Sequence, residues 1–430
     1  MSDRRQRVRR PPARVVRAYF AGAHLALLLA LVLLVWQPAL ATEFYYQPRT
    51  IAVVHLITLG WLTGSILGAL YAMAPLAWRI EVPGGRADRW AFWIWAISVS
   101  GMVTHFWINE YNGMAWAGIT ALAAIAFVGW RVLPGMARAQ IPLEHRVPVL
   151  LAFLNLALAG GLGLLLALQK MGLIALPGPP LSGVYAHAHV AALGWVLMMI
   201  YGAGYRLLPM FLPAPMPKGF AVWLPPVLLE IAVLALGVGL LWATTGVLIV
   251  GAGAAVASAL CFVRLVVRMA LSRRRSPIAL DLTLPVTGAA FAYLLVAAIL
   301  GSAVLLTEDP VARLRLAAVY GALALMGFLA QVVVGIGGRL LPLTVWMQEF
   351  IDAGYKAPIV ALHELADRRL QWAVLGGWGT GAPLFCLGIW LGSPGLARGG
   401  AAALLAGALA DGCNRLVMLR RARRFESALD

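Results

Sequence analysis

One pattern occurs twice in this chain, 134 residues apart, and it constrains the fold more than any other feature. HLITLGWLTGSILGALYAMAP runs from His55 to Pro75, and HVAALGWVLMMIYGAGYRLLP runs from His189 to Pro209. With the histidine as position 0, Leu recurs at +4, Gly at +5, Trp at +6, Ile at +11, Gly-Ala at +13 and +14, Tyr at +16 and Pro at +20. A third copy, ALALMGFLAQVVVGIGGRLLP, starts 133 residues further on, from Ala322 to Pro342. It has lost the histidine and keeps Gly327, Gly335 and the RLLP ending of Arg206 to Pro209. A fixed period of this kind marks one architectural unit used three times.

Composition names the solvent of that unit. Hydrophobic residues make up 62% of the 430, charged residues 12%, and mean hydropathy is +0.85. That much apolar surface belongs in lipid. The net charge of +17 does not point to nucleic acid, because no basic domain or aromatic-basic stripe lies outside the apolar segments. Cys261, Cys386 and Cys413 stand singly, so neither a zinc site nor a disulfide framework is indicated.

Stretches long enough to cross a bilayer fall at about 18–41, 50–77, 90–108, 113–133, 148–169, 183–210, 221–242, 246–270, 283–306, 311–341, 372–391 and 396–418. The first is too long for a signal h-region and is expected to be a retained span. With the amino terminus inside, Lys and Arg divide 29 to 5 between alternate sides, so both termini are expected in the cytoplasm. The repeats fall on spans 2, 6 and 10, so the expected fold is all-α: twelve transmembrane helices in three pseudosymmetric four-helix units, about 18–147, 148–275 and 276–420. Residues 1–17 form a basic cytoplasmic tail, 18–420 one membrane domain and 421–430 a second tail. The segment 343–371 is expected to be a cytoplasmic loop with a short amphipathic helix.

Four histidines, His55, His105, His187 and His189, share one layer near the outer boundary. His145 and His363 fall in expected cytoplasmic loops, as solvated surface groups, and His24 lies in the cytoplasmic half of span 1. An ionisable residue at membrane depth is a functional candidate. A lone histidine there often serves as hydrogen-bonding glue between helices, but two in register favour a cofactor. The glycines at +5 and +13 either admit close helix packing or clear room for a flat macrocycle. Neutral imidazole suits haem iron, so His55 and His189 are expected to bind one low-spin haem b. His187 points about 200° around the helix from His189. It is expected to serve a second haem or a copper ion, with His105. Arg49, Arg313 and Arg315, on a side poor in positive charge, suit haem propionates or lipid headgroups. Trp61 and Trp195 at +6 fit core packing best.

The stretch Ala186 to Phe211, AHAHVAALGWVLMMIYGAGYRLLPMF, resembles the tenth helix of haem–copper oxidase subunit I, where an AHxH motif precedes a glycine notch and a proline at +20. His55 resembles the haem-ligating histidine that opens helix 2 of that family. The resemblance implies twelve helices in three arcs of four and a haem site at His55, His187 and His189. Departures are equally clear. HxH lies on span 6 rather than 10, where Tyr320 and Ala322 stand instead. Spans 7 to 10 hold no histidine for the family's copper site, and the acidic proton-channel residues are missing. The chain is therefore more similar to the NnrS-type proteins of that superfamily, linked to nitric-oxide stress. The expected function is haem binding in nitric-oxide-related or respiratory redox metabolism, without proton pumping. The alternatives are a terminal oxygen or nitric-oxide reductase subunit, and a carrier of haem, copper or a small solute. Implied partners are the lipid bilayer, a cytochrome or quinol electron donor and an additional subunit, but no nucleic acid.

Overall fold

The computed structural model describes residues 11–139, 141–273, 282–352, 354 and 362–423. Among them there is no strand, as lipid demands, because a helix satisfies its own backbone polar groups. Twelve helices of 18 residues or more follow in order: α1 (Ala13–Trp36), α2 (Pro48–Leu76), α3 (Arg86–Trp107), α4 (Met114–Arg138), α5 (Leu143–Lys170), α6 (Ser182–Phe211), α7 (Leu224–Leu241), α8 (Thr245–Leu271), α9 (Thr283–Leu306), α10 (Pro310–Asp352), α11 (Arg368–Leu391) and α12 (Pro394–Arg423). All but α3 are long and apolar enough to cross a membrane. The α3 helix opens on Arg86, Asp88 and Arg89, yet exposes Trp90, Trp93, Ile94 and Ile97 further along. The α10 helix runs on to Asp352, beyond the expected span end at 341. Residues 353 and 355–361 of the expected loop lie outside the described residues.

The repeat-bearing helices are the innermost. In the most apolar stretch of α2, α6 and α10, 72%, 56% and 61% of residues are buried, against at most 44% in the other spans. Their glycines explain how they are seated. A methyl group at Gly60 would sit 2.7 Å from the Ala26 side chain of α1, and one at Gly194 2.6 Å from Asn155 of α5. One at Gly327 would sit 3.0 Å from Tyr293 of α9. At +13 the pattern repeats: Gly68 meets Tyr19 and Phe20 of α1, Gly202 meets Val149 of α5, and Gly335 meets Thr287 of α9. Each glycine thus lets the preceding odd-numbered helix approach closely, and packing is the role the structure gives these small residues. The tryptophans at +6 also pack in the core: Trp61 stacks on Trp378 at 5.8 Å, and Trp195 donates to the Thr63 hydroxyl at 3.0 Å.

The RLLP ending has a role as well. Arg206, at +17 in the second copy, donates from Nε to the Ala77 carbonyl just past the end of α2 at 3.0 Å. Arg339, at +17 in the third copy, donates to the Phe211 carbonyl at the end of α6 at 2.5 Å. Both carbonyls stand at +22 of the preceding copy. Helix ends leave carbonyls without intrahelical partners, and a cation there also favours the dipole. Each arginine therefore fixes the axial position of one repeat helix against the previous one.

Two buried charge clusters lie away from the histidine layer. Asp88 accepts from the Tyr71 hydroxyl at 2.8 Å and pairs with Arg131 at 3.2 Å. Asp411 pairs with Arg415 at 2.7 Å and lies 3.9 Å from the His24 ring, which Gly412 makes room for. His145 corrects the expectation of a solvated loop residue: it stands in the first turn of α5, only 2% exposed, with its ring 5.9 Å from that of Tyr205. Its polar neighbours in sequence suggested a loop, but α5 begins at Leu143. The His363 side chain lies outside the described residues. The packing role of Gly60 is directly testable. Gly60→Ala is expected to destabilise the protein by about 1–3 kcal/mol through overpacking. The second substitution Ala26→Gly, which moves the notch to α1, is expected to recover most of the loss in thermal unfolding monitored in detergent.

Candidate functional site

The helical pattern changes in register with the histidines. In each repeat helix a π-helical segment follows position 0: Leu56–Thr63 in α2, Val190–Leu197 in α6 and Leu323–Leu329 in α10. Such wide turns are rare and concentrate at functional sites. They rotate the residues before them relative to those after, so a helical wheel at 3.6 residues per turn misplaces one end against the other.

Three histidines come to the same protonation geometry by different routes. The Nδ1 of His55 lies 2.8 Å from the Ile51 carbonyl, and that of His189 lies 2.8 Å from the Tyr185 carbonyl, each four residues back on its own helix. The Nδ1 of His187 reaches across to the Ala159 carbonyl of α5, also at 2.8 Å. A carbonyl only accepts, so Nδ1 carries the proton in all three and the neutral ring keeps its lone pair on Nε2. This is the orientation seen in metal-ligating histidines, whose second nitrogen is held by a hydrogen bond.

The rings pair between neighbouring repeats with an offset. His55 at position 0 of the first copy lies 6.4 Å from His187, at −2 of the second, with ring planes 16° apart. His189 at position 0 of the second copy lies 5.8 Å from Tyr320, at −2 of the third, and the phenol oxygen is 3.3 Å from its Nε2. The two contacts are the same step taken twice. The described ring contacts thus join His55 to His187 rather than to His189, the partner expected from register. Tyr320 stands at −2 of the third copy, the position that His187 holds in the second, and that shared position is its sequence signal.

His105 does not join this set. Its Nδ1 donates to the Glu110 carbonyl at 3.1 Å, and its ring fills the space beside Gly113 in the α3–α4 turn. Its neighbour Phe106 instead packs at a tilt against the His55 ring, 4.7 Å between centroids. Among the described residues no three His, Cys, Asp or Glu side chains converge to hold a metal ion. Above the histidines, Arg49 is exposed at the start of α2 with its guanidinium 5.5 Å over Trp107, and Lys170 sits 4.3 Å over Tyr46. Arg313 and Arg315 are exposed in the first turns of α10. The Tyr45 and Tyr185 hydroxyls are hydrogen-bonded to each other. Burial, reinforced by that bond, pushes the Tyr45 phenol above its ordinary range, and burial does the same for Tyr46 and Tyr111.

The His55–His187 pair supplies two imidazole nitrogens of the kind a haem iron would take. Two imidazoles that shared one metal ion, each at a bond of about 2 Å, would have ring centroids about 6 Å apart. The His55–His187 centroid spacing and near-parallel planes match that arrangement, and in each ring the carbonyl hold on Nδ1 leaves Nε2 as the nitrogen that would ligate.

These features define a multi-pass helical membrane protein with a half-buried histidine layer. No family model matches the chain. Over 85 residues, 19% of its length, it is 28% identical to the protein described as "Cytochrome c oxidase subunit 1 homolog, bacteroid" from Bradyrhizobium diazoefficiens. The match spans only 16% of that relative, and it supports a distant likeness to oxidase subunit I.

The tautomers are open to a direct test. In metal-free protein labelled with ¹⁵N-histidine, His55, His187 and His189 are expected to show protonated Nδ1 and unprotonated Nε2 at neutral pH. Tyr320→Phe is expected to shift the Nε2 signal of His189 alone.

Proposed function

We propose that this chain is a haem-binding protein of a bacterial inner membrane, with both termini cytoplasmic. On this reading its twelve helices all span the bilayer as three four-helix units, on the plan of haem–copper oxidase subunit I and its NnrS-type relatives. It acts in nitric-oxide-related or respiratory redox metabolism, receiving electrons from a cytochrome or quinol and working with a further subunit. The observation that carries this reading is the His55–His187 pair, two near-parallel imidazoles with their Nε2 lone pairs free. The oxidase likeness and the apolar helical fold support it.

A haem b in this position would supply one-electron and gas-binding chemistry. The chain's own groups do the rest. The carbonyls of Ile51 and Ala159 hold the Nδ1 protons of His55 and His187, which fixes the ring orientations and makes each Nε2 a better donor. Phe106 covers the His55 ring. Arg49 and Arg313, at the outer face, suit the carboxylates of a cofactor. His189 serves a second site, with the Tyr320 hydroxyl donating to its Nε2. A copper ion would have to draw on His189 or His105 together with donors from outside this chain.

The purified protein is expected to carry haem with a Soret band and, when reduced, a low-spin α-band. His55→Ala and His187→Ala are each expected to abolish that band, while His189→Ala leaves it in place. Loss of the band in His189→Ala with retention in His187→Ala would return the axial pair to the one expected from register. A folded protein without a Soret band would favour the carrier of haem, copper or a small solute.

A further inference from the structure

Deeper than the histidine layer, the three repeat helices line a half-open cavity of about 60 Å³. Its walls come from the same positions of each copy, +10, +11, +14 and +18, completed by Phe20 of α1 and residues adjoining these positions. The lining is apolar except for the Ser65 hydroxyl at +10 of the first copy. A buried water needs two to four polar partners and roughly 10–15 Å³ of such volume. The space therefore has room for more than one water, yet offers no adequate bonding for even one. Apolar cavities of this kind stay dry and take up apolar guests.

The Gly-Ala pair of the repeat acquires its second half here. The glycine at +13 seats the preceding helix, and the alanine at +14, Ala69 in α2 and Ala203 in α6, faces the cavity. A leucine at either place would fill it. In the third copy the +14 residue is Ile336, so two of the three walls are kept small. An empty void forfeits packing contacts on every side that lines it, and a guest of matching size restores them.

We propose that this cavity is a binding site for a small apolar gas, a monatomic or diatomic molecule of the class of dioxygen or nitric oxide. The volume excludes a quinone ring with its tail or an ordered acyl chain. The site is built from α1, α2, α6 and α10 alone and includes none of the histidines, so it stands whether or not the chain binds haem.

Xenon is the probe. Crystals of the full-length protein under xenon pressure are expected to show one anomalous peak between α2, α6 and α10, level with Ala69 and Ala203. Detergent-solubilised protein is expected to give a saturable ¹²⁹Xe NMR shift. The double variant Ala69→Leu/Ala203→Leu is expected to lose both signals, and Ser65→Ala to keep them. Ordered water or a lipid chain in the wild-type cavity would overturn the proposal, as would a xenon signal that survives the double variant. Should the double variant fail to fold, the wild-type map decides alone.

Discussion

The close approach of each repeat helix to the helix before it is the constraint on which the rest of this molecule depends. Glycines at +5 and +13 permit that approach on α1, α5 and α9, where any side chain would meet Ala26, Asn155 or Thr287. Lipid supplies no hydrophobic force between helices, so van der Waals contact at short range must hold them. The +17 arginines then lock the axial positions, with Arg206 on the end of α2 and Arg339 on the end of α6. Lateral distance and depth are both set inside the bundle. The histidine layer inherits its geometry from these contacts, and so does the cavity between α2, α6 and α10.

Seen this way, the histidine layer is a seam between successive copies. His55 meets His187 and His189 meets Tyr320 by one and the same step, position 0 against position −2 of the next copy. The two contacts differ in chemistry. The first offers two ring nitrogens with free lone pairs, which suits a metal between them. The second occupies the His189 lone pair with a phenol, which suits proton handling or a ligand that displaces the phenol. Two buried acids elsewhere in the bundle are paired: Asp88 with Arg131 and Tyr71, Asp411 with Arg415. Removing one partner of such a buried pair costs far more than the pair itself contributes.

Much of this was legible in the sequence. Eleven of the twelve expected spans appear as helices apolar enough to cross, and α3 falls at the place of the twelfth. The repeats fall on α2, α6 and α10, the three most buried helices of those able to cross. The ring pairing was not legible. Register says which residues share a depth, but not which neighbour each faces, and the π-helical segments alter the rotation that a regular wheel assumes. The arginine caps are invisible in the sequence because their acceptors are carbonyls, which leave no residue signature. His145 was misplaced for a related reason: its charged sequence neighbours imply water, while its burial depends on Tyr205, 60 positions away in the chain.

The central claim is that two imidazoles from successive copies hold one haem. Electron paramagnetic resonance of the purified, oxidised protein tests it most directly, because a ferric haem reports its axial ligands in its g-values. The account predicts a low-spin signal of bis-imidazole ligation, stoichiometric with the chain, with the narrow rhombic spread of near-parallel rings. Only a high-spin ferric signal, or protein that folds and binds no haem at all, would contradict it.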